Sequence, residues 1–188
     1  SADQILLLVD GIRVSDVQSS HYATDLSLPL DAIERIEILR GVASAAYGPG
    51  AVGGVINIVT RRSARGTSAA IRGGSFGSVG GDVSGSVGDG LSATGNYDKS
   101  DGHRDGTDFR IGQARVGHIA RLADGMLSTD AGLAVRDFGA ADFYAPYNSI
   151  ERTVSTTVDA RWNRTAGAWT IDAVASTRRH QDHYILVR

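Results

Sequence analysis

LPLDAIERIEILRGVASAAYGPGAVGGVINIVTRR, Leu28 to Arg62, decides how the rest of the chain is read. Pro29 suits the first turn of a short helix, and Asp31 and Glu34 lie near that end, where the helix dipole favours anions. Ile33, Ile36, Ile38 and Leu39 then run as a strand to Arg40-Gly41. Ala43 to Tyr47 reads as a second helical turn. Gly48-Pro49-Gly50 ends it, because proline cannot continue a helix and glycine tolerates positive φ. Val55 to Thr60 is rich in β-branched residues and predicts a strand. Short helical turns alternating with strands make this stretch a small α/β piece.

Upstream, Gln4 to Val9 reads as a buried strand. Asp10-Gly11 is a hairpin turn signal, with Ile12 to Val14 returning. Ser15 to Ser27 is polar and without period, hence a loop. Downstream the character changes. Arg61 to Gly66 is a basic, polar connector, and it sets two domains, 1–62 and 63–188. Beyond it the period is two. Val79, Val83 and Val87 alternate with Asp82, Ser84 and Ser86; Leu127, Leu133 and Val135 with Ser128, Asp130 and Arg136; Val154, Val158 and Trp162 with Ser155, Asp159 and Arg161. One apolar and one polar face is the mark of antiparallel sheet. About seven strands are expected, beginning near Thr67, Val79, Leu91, Phe109, Met126, Glu151 and Ala168. Phe109 to Leu122 alternates less cleanly.

Short connections (Gly88 to Gly90, Ala123 to Gly125, Asn163 to Gly167) alternate with long ones (Lys99 to Asp108, Asp137 to Ile150). Long loops therefore gather at one end of the sheet and tight turns at the other, as in outer-membrane barrels. Trp162 and Trp169 flank a tight turn, where an interfacial aromatic girdle would lie. A soluble glycine-rich β protein shares the period and is the alternative.

Composition narrows the classes. The chain of 188 residues has 19 basic and 21 acidic residues, a balance that argues against nucleic-acid binding. It has no Cys, so no disulfide framework, thiolate metal site or cysteine nucleophile. No apolar run reaches the roughly 20 residues of a spanning helix, and barrel strands need none. Gly48-x-Gly50-x-x-Gly53 matches a dinucleotide fingerprint in spacing only: a helical turn precedes it and a strand follows, the reverse of what that site needs. His180-x-x-His183 puts its rings on opposite faces of a strand, at what reads as a loop start. Nothing assembles a catalytic constellation, and no enzyme is expected.

The motifs IERIEILRG (Ile33 to Gly41), SAAYG (Ser44 to Gly48) and GGVINIVTRR (Gly53 to Arg62), with LLLVDGIRV (Leu6 to Val14) before them, resemble the C-terminal part of the plug domain of TonB-dependent outer-membrane receptors. Cobalamin and siderophore receptors look nearest. The resemblance implies a mainly β fold: a partial α/β plug, then about seven antiparallel strands of an incomplete transmembrane barrel of about 22. It implies a fragment, lacking the first half of the plug and the segment that contacts TonB. The function implied is uptake of cobalamin or a ferric siderophore across the outer membrane, with the TonB complex and outer-membrane lipid as partners. A non-transporting binding or signalling receptor is the alternative.

The resemblance also distributes roles. Ser15, Gln18, His21 and Tyr22 would lie at the plug apex and contact ligand. Glu37 and Arg40 would pair with charges of the barrel wall to hold the plug, against the plain reading of a solvated strand face. No cofactor is required, but calcium is expected to order the external loops through Asp105, Asp108, Asp137 and Asp142. In cobalamin receptors aspartates fall at places similar to the first three, and hard oxygen ligands on flexible loops suit that ion.

Overall fold

The computed structural model describes residues 5–14, 26–41, 44–48, 50–61, 66–88, 90–143 and 145–186. They fall into two compact units: 1–26 with 30–61, and 27–29 with 62–188.

The first unit is a four-stranded sheet in the order β2-β1-β4-β3. Its strands are β1 (Ile5–Val9), β2 (Ile12–Arg13), β3 (Ile33–Arg40) and β4 (Gly54–Thr60). A 3-10 turn, Leu30–Ala32, leads into β3, and a single helical turn, α1 (Ser44–Tyr47), stands between β3 and β4. Val9 pairs with Ile12. The two residues between them, Asp10 and Gly11, have φ of 51° and 79°, the doubly positive geometry that matches hairpin twist and explains the Asp-Gly pair. β1 runs parallel to β4, and β3 antiparallel to it. Leu6, Leu8, Ala51 and Val55 form the core between them. Gly54 is required by position: its φ is 149°, and a Cβ there would stand 2.5 Å from the Leu39 carbonyl oxygen.

The second unit is a seven-stranded antiparallel meander in strict sequence order. It comprises β5 (Ser68–Gly73), β6 (Val79–Val87), β7 (Leu91–Ser100), β8 (Phe109–Leu122), β9 (Gly125–Gly139), β10 (Ile150–Ala166) and β11 (Trp169–Ile185). Among the described residues no helix is long and apolar enough to cross a membrane, which leaves open crossing by strands.

The strand expected from Phe109 is present and unbroken to Leu122; its alternation is blurred because Ile111 and Ile119 point to the polar side, opposite Arg136 and Ser128. Two expectations are corrected. His180 and His183 lie within β11, which pairs with β10 as far as Ile185, and not at a loop start. Asp137 and Lys99 belong to strand ends, leaving loops of residues 101–108 and 140–149.

Candidate functional site

Register sorts the side chains of the second unit onto two faces, since directly opposed residues share one. Val83 is linked through Gly95 and Ala114 to Leu133 and Thr156. Val158 faces Ala131 and Thr177. Val83 (53% exposed), Leu133 (43%), Val158 (52%) and Ile171 (49%) all open outward. The other face is polar and more enclosed: Ser84 is 8% exposed, Glu151 2%, and Thr153 and Ser155 0%. A soluble sheet buries its apolar face. This one exposes it and encloses the polar face.

The polar face is bonded across strands. Arg72 on β5 reaches both Asp82 and, at 3.2 Å, Asp98. Asn96 donates to Asp98 at 2.9 Å. Arg115 is held by Asp130 at 2.7 Å, and Arg161 lies 3.4 Å from Asp172. Ser176 donates to Asp159 at 2.5 Å, and Ser155 Oγ shares a 2.8 Å hydrogen bond with His180 Nδ1. Ser27, which clusters with this unit, donates from Oγ to the Ser155 carbonyl at 2.8 Å. Its own carbonyl oxygen lies 2.5 Å from where a Cβ at Gly132 would stand, so only glycine admits the segment so close to the wall.

At the tight-turn end Trp162 Nε1 donates to the Leu122 carbonyl at 2.8 Å. The indole lies over Gly125, where a Cβ would meet Nε1 at 2.6 Å. Trp162 faces the apolar side, with Trp169 two rows on.

At the other end the two long loops are fastened together. Gly139 N donates to the Asp108 carbonyl at 2.8 Å and Ala141 N to that of Gly106 at 3.2 Å. Arg104 donates to Asp142 at 2.6 Å and to the Ala141 carbonyl at 3.2 Å. The four aspartates expected to hold calcium are not gathered. Asp142 pairs with Arg104, Asp137 lies 3.6 Å from Arg152, and Asp105 and Asp108 stand exposed. Among the described residues no three acidic or His side chains converge on a point that could hold a metal. The Arg104–Asp142 pair joins residues 38 apart, which spacing could not reveal.

In the first unit Glu37 accepts from Asn57 Nδ2 and from Arg35 Nε, each at 2.9 Å. Asn57 Oδ1 in turn accepts from Gly11 N at 3.0 Å. The Asn57 hydrogen bond, and then Arg35, hold the Glu37 carboxyl below its ordinary pKa. The bond to Glu37 likewise keeps Arg35 more firmly protonated. Both oxygens of Glu37 are thus engaged within its own sheet. Arg40 is exposed at the end of β3, opposite Gly54, with no partner among the described residues. Asp10 accepts from Thr60 N at 2.9 Å and Thr60 Oγ1 at 2.6 Å, tying the hairpin to the end of β4. Ser15, Gln18, His21 and Tyr22 lie outside the described residues.

Residues 1–55 match the family model of the TonB-dependent receptor plug domain. The whole fold is similar to solved outer-membrane receptors. The siderophore receptor PirA from Pseudomonas aeruginosa is 26% identical with a TM-score of 0.67, over 97% of this chain and 34% of that one. The first 55 residues carry the plug domain of TonB-dependent receptors. The alcaligin outer membrane receptor FauA from Bordetella pertussis shares the fold at 20% identity and a TM-score of 0.79, over 96% of this chain and 31% of its own. So does the ferric-catecholate import receptor Fiu from E. coli K12, at 17% and 0.75, over 99% and 33%. The chain spans about a third of the length of these receptors.

Proposed function

We propose that this chain supplies part of the plug and the first wall strands of an outer-membrane receptor that imports a ferric siderophore, driven by the TonB complex. One observation carries the reading: a plug-family segment runs directly into a sheet whose exposed face is apolar and whose enclosed face is ion-paired. The likeness to PirA, a siderophore receptor, and Fiu, a ferric-catecholate import receptor, favours a siderophore over cobalamin. The outer edges of β5 and β11 carry no partner strand among the described residues. Lipid does not tolerate such edges, so further strands are placed against them. Ser15, Gln18, His21 and Tyr22 face the ligand, and Arg40, freer than Glu37, is the residue that pairs with the wall. Calcium competes with Arg104 for Asp142.

The test is uptake. The full-length receptor is expressed in a Gram-negative host stripped of its own siderophore and cobalamin receptors, with and without TonB. TonB-dependent accumulation of radioactive iron from a siderophore panel is the expected result. Accumulation of labelled cobalamin alone would move the substrate to cobalamin. Binding of either without uptake would support the non-transporting receptor. A protein that stays soluble without detergent would overturn the membrane reading altogether.

A further inference from the structure

β10 runs further toward the tight turns than β9 does. Their register ends with Asn163 opposite Met126. β10 continues beside β11, with Arg164 opposite Ile171, Thr165 opposite Thr170 and Ala166 opposite Trp169. These three residues overhang the β8–β9 turn, and among the described residues no strand pairs with them on the β9 side. Backbone groups in an antiparallel ladder turn to alternate neighbours along the strand. The Arg161 carbonyl accepts from Ser128 Oγ at 3.5 Å, and the Asn163 carbonyl oxygen lies 2.5 Å from where a Cβ at Gly125 would stand, so both point toward β9. Thr165 has the same parity. Its N–H and C=O therefore face the open side, on an exposed residue, as an unpaired strand edge.

A cleft of about 510 Å³ lies at this overhang, walled by Arg121 to Met126 of the turn and Asn163 to Thr165 of β10. Its shape is built in. Trp162 Nε1 holds the Leu122 carbonyl, and the missing side chain at Gly125 lets the turn close against Asn163. Its charge is positive. Arg121 is exposed and has no ion-pair partner among the described residues. Arg164 is held only by Asp124, at 3.3 Å, whose side chain is 84% exposed. Met126, 39% exposed, adds an apolar patch. A free N–H and C=O on one residue call for a complementary pair at strand spacing, which another backbone supplies and a simple anion does not. Two guanidinium groups against one carboxylate call for acid side chains, which the Arg fork takes in bidentate fashion. Three residues of overhang at about 3.4 Å each set a paired length of about 10 Å.

We propose that this cleft binds an extended acidic peptide of a partner protein, added as a short strand against Thr165 with a carboxylate on Arg121. Under the wall reading the partner is periplasmic; the site itself stands on this sheet and does not depend on the imported ligand. The test uses the full-length receptor in detergent and fluorescence anisotropy with a labelled hexapeptide of alternating Val and Glu. Saturable binding is expected, weakened about tenfold by Arg121→Gln and unchanged by Arg152→Gln at the far end of β10. Asp124→Asn, which releases Arg164, tightens it. The same peptide N-methylated along its backbone cannot pair on either edge and binds the unaltered receptor about tenfold more weakly. That comparison needs no variant, and it decides the matter if heat-modified gel mobility shows Arg121→Gln to be unfolded. No saturation by about 1 mM peptide overturns the proposal. So does equal binding of a Val-Lys counterpart or of the N-methylated peptide, or full competition by free glutamate at the peptide's own concentration. A receptor that binds the peptide but imports no siderophore leaves this site standing, and one that imports without binding the peptide overturns this site alone.

Discussion

Asn57 shows how much a single side chain in the plug unit settles. Its amide takes a hydrogen bond from Gly11 and gives one to Glu37, joining the β1–β2 turn to β3 across β4. Glu37 is therefore held below its ordinary pKa, chiefly by Asn57 and then by Arg35. The sign follows directly. A depressed folded pKa stabilises the folded state above the unfolded pKa of about 4.3, and that contribution is lost as pH falls through the folded value. Asn57→Ala should move the Glu37 midpoint upward in a carboxyl-carbon NMR titration of the labelled receptor; an unmoved midpoint would contradict the assignment. Thr60 makes the second residue-level case. It is 1% exposed and gives both N–H and Oγ1 to Asp10. Thr60→Val leaves the carboxylate short of a donor and should cost about 1.5–3 kcal/mol, seen as faster hydrogen exchange at the β1–β2 turn and the end of β4. The turn itself was legible, because Asp-Gly has a local backbone reason. Its ties to Asn57 and Thr60 were not, because they join residues 46 and 50 apart.

Elements show the same divide between local and distant causes. The seven strands were readable because alternation is enforced residue by residue: each step flips a side chain between the apolar and the polar face. Loop lengths were readable for the same reason, since they are what remains between alternating runs. Where the pattern blurred, in β8, the reason is that Ile111 and Ile119 look into the polar face, a placement only the neighbouring strands reveal. The β8–β9 turn is the element most open to improvement. Ala123 and Asp124 adopt φ of 49° and 56°, a conformation that burdens any residue with a Cβ. Asp124 offers little in return: it is 84% exposed in its 3.3 Å pair with Arg164, and such surface pairs contribute about 0–1 kcal/mol. Asp124→Gly should raise stability by about 1 kcal/mol, read as a higher thermal midpoint in detergent. Gly125→Ala, one residue on, should do the opposite, because the added methyl meets Trp162 and the Asn163 carbonyl at 2.6 and 2.5 Å. If both variants shifted the midpoint the same way, the turn geometry described here would be wrong.

At the scale of the whole wall, the claim to be tested is the inversion of its two faces. Val116 points outward and lies six residues from the tight-turn end of β8, about 15 Å into the apolar band at a tilt of about 40°. Ser92 points the other way, opposite Gly117 and toward the Asp130 side of the polar face. If the outer face meets lipid, Val116→Arg carries a charge into hydrocarbon and should destabilise the folded receptor by about 2–4 kcal/mol. Ser92→Arg adds the same side chain to a wet, anionic face and should change stability by less than about 1 kcal/mol. The measurement is reversible urea unfolding of the full-length receptor in lipid vesicles, where both variants share one denatured state and the difference between them is trustworthy. A soluble sheet predicts the opposite order: arginine at an exposed Val would be harmless, and arginine at a half-buried Ser would not. The sign of that difference therefore decides between the two kinds of sheet that share a period of two, without knowledge of the ligand or of the rest of the barrel.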